Sequence, residues 1–62
     1  MVLLPDARVI VTDREGIRST VSGEVVTTQR INGELVSVLV RKDMGGYEMF
    51  DLETYEVEHA SF

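Results

Sequence analysis

His59 is the single histidine of the chain, and the groups that could work with it are Glu48, Asp51 and Ser61. A His–carboxylate pair becomes a general base only when it faces a nucleophile, and the nucleophile must face donors that hold an oxyanion. One histidine near the C-terminus offers neither, so no catalytic residue is assigned and the chain is not expected to be an enzyme. A metal site would draw on His59, Glu56, Glu58 and Asp51. Strand side chains alternate between faces, which sets Glu56 and Glu58 opposite His59. The chain has no cysteine to add thiolates, so no metal ligand set is expected. Gly45-Gly46 runs into Tyr47, not into Lys and Ser or Thr, and opens no predicted helix, so it cradles no phosphate. No cofactor is implied.

Recognition is the chemistry that remains. Tyr47 and Phe50 flank Glu48 and precede Asp51, and Glu53 follows two residues on. Ring faces attract cations and dock proline-rich segments, and neighbouring carboxylates favour basic ones. Tyr47, Glu48, Phe50, Asp51 and Glu53 are therefore the candidate partner-binding set, for a basic or proline-rich protein segment. The alternative for the tyrosines is that Tyr47 and Tyr55 close the ends of the fold with their hydroxyls in water.

Charge supports this reading. The net charge is −5, and residues 43–62 hold six acids and no base, whereas residues 1–42 hold all six bases and five acids. Such asymmetry marks a surface for a basic partner, or else a solvated edge neutralised by Arg8, Arg41 and Lys42 from neighbouring strands. Phosphate backbones require clustered Lys and Arg, and Arg41-Lys42 is the only adjacent basic pair, so nucleic acid is not an expected partner. An acidic mimic of nucleic acid is an alternative function class.

The elements that must position these residues are strands. At 62 residues the chain makes one domain, spanning 1–62. Period-two alternation with ten valines predicts strands over 7–13, 21–29, 34–42, 47–50 and 55–59. Residues 13–20 read as a long polar loop, and Gly23 inside the second strand as a bulge or sharp bend. Asn32-Gly33 is a hairpin signal because both residues tolerate positive φ. Asp43-Met44-Gly45-Gly46 is a second turn, and Asp51-Leu52-Glu53-Thr54 one short 3-10 turn before the last strand. The expected core is Val9, Val11, Val21, Val25, Val36, Val38, Val40, Met49, Leu52 and Val57, with Tyr55 and His59 also inward. The layout predicts an all-β fold, a single five-stranded antiparallel SH3-like barrel.

The opposite face carries Ile10, Val26, Leu35, Leu39 and Phe50. A small chain without disulfides or metal gains from oligomerisation, and apolar patches mark interfaces. Ile10, Val26, Leu35 and Leu39 are the expected self-interface of a homo-oligomer, with an exposed edge of the third strand able to pair across a two-fold axis. No apolar run approaches the length of a membrane span and no signal peptide is legible, so a cytoplasmic protein without a membrane partner is expected.

The segments Ala7-Arg8-Val9, Gly23-Glu24-Val25-Val26, Asn32-Gly33, Gly46-Tyr47 and Leu52-Glu53-Thr54-Tyr55-Glu56-Val57 resemble small SH3-like barrels. Among these are a small β-barrel protein of photosystem I, KOW-type modules and the plasmid-borne type II dihydrofolate reductases. The reductase resemblance implies a tetramer with a site formed between subunits, which is the enzymatic alternative. Its pore stretch Val-Gln-Ile-Tyr aligns with Tyr47-Glu48-Met49-Phe50, where Glu48 replaces Gln and Phe50 replaces Tyr. A carboxylate there repels an anionic cofactor and a folate tail. The KOW resemblance implies RNA partners, which the acidic C-terminal third opposes. The photosystem resemblance implies docking to a larger complex, but its basic docking character is missing here.

Overall fold

A computed structural model describes residues 3–60. Five strands follow one another in the chain: β1 (Arg8–Asp13), β2 (Val21–Ile31), β3 (Glu34–Lys42), β4 (Tyr47–Asp51) and β5 (Tyr55–His59). They form one antiparallel sheet in the order β4-β3-β2-β1-β5. The meander β1 to β4 needs no crossover. β5 then returns across the chain to lie beside β1, pairing Val9 with His59 and Asp13 with Tyr55. The ladder does not join β4 to β5, so the sheet is not a closed barrel.

The turns follow the sequence chemistry. Ile31 pairs with Glu34 across a two-residue turn in which Asn32 and Gly33 take φ of 51° and 81°. Both central residues at positive φ match the twist of a hairpin. Lys42 N–H donates to Gly46 O across the next turn, where Gly45 and Gly46 also have positive φ. Residues 52–54 are a single turn, not a 3-10 helix. Thr54 N–H reaches Asp51 O at 3.3 Å, and the Asp51 carboxylate accepts from Glu53 N–H and Thr54 Oγ1–H at 2.9 and 3.0 Å.

Gly23 sits where β2 lies close against β3. A Cβ there would press on the Arg41 carbonyl oxygen and lie 2.7 Å from Val40 Cγ1. Its absence lets the sheet bend sharply, as a glycine in a strand interior often does. Two bulges add to the bend, at Val26 on β2 and at Val36 on β3.

The core lies on one face of the bent sheet. Leu3, Val9, Val11, Val25, Val38, Val40, Phe50 and Val57 are buried, with Val21, Leu35, Leu52 and Tyr55 packed against them. Four expectations change. Phe50 has no exposed surface, whereas Met49 is 52% exposed, so β4 presents the opposite parity to the one predicted. Register explains it: Phe50 pairs with Val38, and Met49 with Leu39, and directly paired residues share a face. The bulge at Val36 flips the beginning of β3, which turns Leu35 toward the core and leaves Val36 half-buried. His59 is exposed, not inward. β3 is also an interior strand, and the open edges belong to β4 and β5.

Candidate functional site

The five residues expected to bind a partner do not form one surface. Phe50 is enclosed in the core, Tyr47 stands 65% exposed on the outer face, and Glu48 alternates to the inner side. Asp51 spends its carboxylate on the turn that follows it. Glu53 is exposed.

Glu48 is the anchor of an internal clamp. Arg18, from the loop between β1 and β2, makes a two-point bond to its carboxylate, with Nη2–Oε1 at 2.6 Å. Lys42 Nζ adds a bond at 3.2 Å. The Arg18 guanidinium lies 5.5 Å from the Phe50 ring centroid and 6.0 Å from that of Tyr55, and the two rings meet edge to face at 5.0 Å. Arg18 thus covers the end of the core that Phe50 fills, and its charge favours the electron-rich ring faces. The same guanidinium, followed by Lys42, holds the Glu48 carboxyl down to about 2. The loop reaches this position because Asp13 organises it. Its carboxylate accepts from Glu15 N–H and Arg18 N–H, each at 3.0 Å, and these backbone bonds lower its pKa. In the sequence, residues 13–20 read only as a polar connection. The one signal there is an Asp that can accept from backbone donors a few residues on.

A second network runs across the outer face. Arg8 forks onto Asp43 at 2.7 and 2.6 Å and lies 3.7 Å from Glu24, which Arg41 meets at 3.1 Å. Arg8, and then the Ser22 hydroxyl, pull the Asp43 carboxyl down to about 2. This charged row separates Ile10 from Val26, Leu39 and Met49. The expected self-interface residues are therefore divided: Ile10 and Val26 are 36% and 39% exposed, Leu39 is half-buried on the strand beside Val26, and Leu35 faces the core.

These networks consume the basic residues. Arg8, Arg14, Arg18, Arg41 and Lys42 all pair with carboxylates, and Arg30 bonds Gly33 O. Neutralisation from β1, β3 and the loop between β1 and β2 thus reaches Glu24, Asp43, Glu48 and Glu56. It does not reach Glu34 or Glu53, which have no cation within 4 Å among the described residues. These two acids line one cleft of about 310 Å³ with Asp51, Leu35, Val36 and Leu52. Pairing of Ser37 with Asp51 brings the start of β3 against the turn after β4, and the bond from Leu52 N–H to Val36 O fastens the cleft floor. Arg14 holds the far side of that turn, donating to Leu52 O from Nε and Nη2.

Among the described residues no three His, Cys, Asp or Glu side chains gather as metal ligands, and no helix is long and apolar enough to cross a membrane. Ser61, considered above as a partner of His59, lies outside the described residues. Comparison with protein-family models, curated proteins and solved structures finds no match.

Proposed function

We propose that the chain is a non-catalytic protein-interaction module, an SH3-like half-open barrel, that takes a basic segment of a partner protein into the cleft between β3 and the β4–β5 turn. The observation that carries this is the contrast in charge pairing. Acids such as Glu24, Asp43 and Glu48 are matched by an arginine or lysine of the same chain, while Glu34 and Glu53 line a cleft with half-buried Leu35 and Leu52 and have no cation within 4 Å among the described residues. Leu35 and Leu52 accept the aliphatic stem of an arginine or lysine, or a proline ring, and the carboxylate rim takes the charged head. Of the residues expected from sequence, Asp51 and Glu53 belong to this cleft. Tyr47, Glu48 and Phe50 act elsewhere in the fold.

The test is fluorescence anisotropy with labelled peptides that alternate arginine and proline, at low and moderate salt. Charge reversal at Glu34 or Glu53 is expected to weaken binding about tenfold or more, the scale of a lost charge-assisted contact. Reversal at Glu15, exposed and not among the residues lining the cleft, changes net charge equally and serves as control. Equal losses at all three positions would reduce the effect to net charge and defeat the proposal, as would the absence of any peptide binding.

A further inference from the structure

The two ends of the sheet are protected unequally. Among the described residues β4 and β5 each have a neighbour on one side only, and such edges offer unpaired N–H and C=O groups. Along an antiparallel ladder, alternate residues bond the neighbour and those between face away. On β4 the bonds Lys42 N–H to Gly46 O and Leu52 N–H to Val36 O set the phase. Glu48 and Phe50 therefore bond β3, and the backbones of Tyr47, Met49 and Asp51 face the open side. On β5 the bonds Arg14 N–H to Thr54 O and Ala60 N–H to Arg8 O leave Tyr55, Val57 and His59 facing outward.

The geometry points to β4 as a self-pairing edge: two copies of the chain meet antiparallel across a two-fold axis at Met49, joining their sheets into one. In this register Met49 faces its own counterpart, Tyr47 faces Asp51 of the second copy, and Glu48 faces Phe50 of the second copy. No acid opposes an acid. Glu48 already carries Arg18 and Lys42, so its charge does not repel the approaching strand. Exposed Tyr47 and Met49, with Val26 and Leu39 behind them, then form one apolar surface continuous across the seam. The strand holds no lysine or proline, the residues that commonly guard an edge.

β5 is the less suited edge. Every two-fold register centred on Glu56, Val57 or Glu58 sets one glutamate against another, and like charges directly opposite destabilise a pair. Within one copy, Glu56 already raises the pKa of Glu58 by hydrogen bonding and repulsion. The seam shares Asp51 with the peptide cleft, whereas Glu34 and Glu53, on which the cleft reading rests, take no part in it.

Sedimentation equilibrium of the full chain from about 1 to 100 μM reads the association, which shifts with concentration by mass action. A discrete dimer is expected, and Met49→Lys is expected to weaken it about tenfold or more by placing two ammonium groups face to face. A cysteine pair gives a second readout that does not depend on affinity. Paired Cα atoms at such a position lie about 5.5 Å apart, within disulfide reach. The chain has no native cysteine, so Met49→Cys is expected to oxidise to a covalent dimer faster than His59→Cys on β5. A monomer throughout, a dimer unaffected by Met49→Lys, or equal crosslinking at both positions would overturn the inference. Rings larger than a dimer would overturn it in favour of head-to-tail pairing of β4 with β5.

Discussion

Replacing Phe50 with alanine is expected to leave the chain largely unfolded, whereas the same change at its neighbour Met49 is expected to be tolerated. Phe50 has no exposed surface, and truncating a buried phenylalanine costs about 3–5 kcal/mol through lost burial and the cavity left behind. Its edge-to-face contact with Tyr55, at 5.0 Å between centroids, carries about 0.5–1.5 kcal/mol more. Arg18 also loses the ring beneath it. A chain of 62 residues without disulfides commands about 3–5 kcal/mol in total, so the loss matches or exceeds the whole stability. Met49 is 52% exposed, and its truncation is expected to cost about 1 kcal/mol or less. Urea titration followed by far-ultraviolet circular dichroism, at a concentration where the chain is monomeric, compares the two. Equal costs at positions 49 and 50 would refute the parity of β4. So would a cooperative transition in Phe50→Ala with a loss below about 1.5 kcal/mol.

Two further predictions concern the scaffold. Gly23→Ala forces a methyl group against the Arg41 carbonyl and the Val40 side chain, and is expected to cost about 1–3 kcal/mol in the same titration; a neutral result would show that β2 can straighten. The Glu48 carboxyl titrates near 2 when folded against 4.5 when free, so its contribution is complete above pH 4.5 and is lost as pH falls toward 2. Asp43 acts in the same direction between 3.8 and about 2. Glu48→Gln is expected to flatten the acid limb of a stability–pH curve, and an unchanged limb would remove the Arg18–Glu48 clamp from the account.

The scaffold is legible in the sequence where local chemistry decides structure. Asn32-Gly33 specifies a hairpin with two positive φ angles, and Gly23 announces a close approach of two strands. Alternation locates all five strands. It misassigns β4 because that strand is five residues long and carries apolar groups at 47, 49 and 50, which satisfy neither parity. Its register against Val38 and Leu39 decides the matter, and register is a tertiary property. The bulge that turns Leu35 inward leaves no such mark, since Leu35 and Val36 are both apolar. The cleft is half visible. Asp51 and Glu53 stand out in the acidic third, but Glu34 joins them only once the β3–β4 hairpin has folded. Arg18 is hidden in a polar loop, and its value lies in what it covers.

The return of β5 to β1 has a kinetic consequence. The β2–β3 hairpin begins with Ile31 against Glu34, whereas the nearest pair between β1 and β5 is Asp13 with Tyr55. Closing the longer loop in an unstructured chain costs about 2 kcal/mol more entropy than closing the short one. The central meander is therefore expected to nucleate, with β5 docking last and detaching first. The turn at 52–54 leads directly into β5, so detachment of this strand frees the Leu52 and Glu53 wall of the cleft from its Arg14 tether. Amide exchange is accordingly fastest along β5 and slowest at Val25, Val38 and Val40, and the cleft widens on the timescale of that local opening.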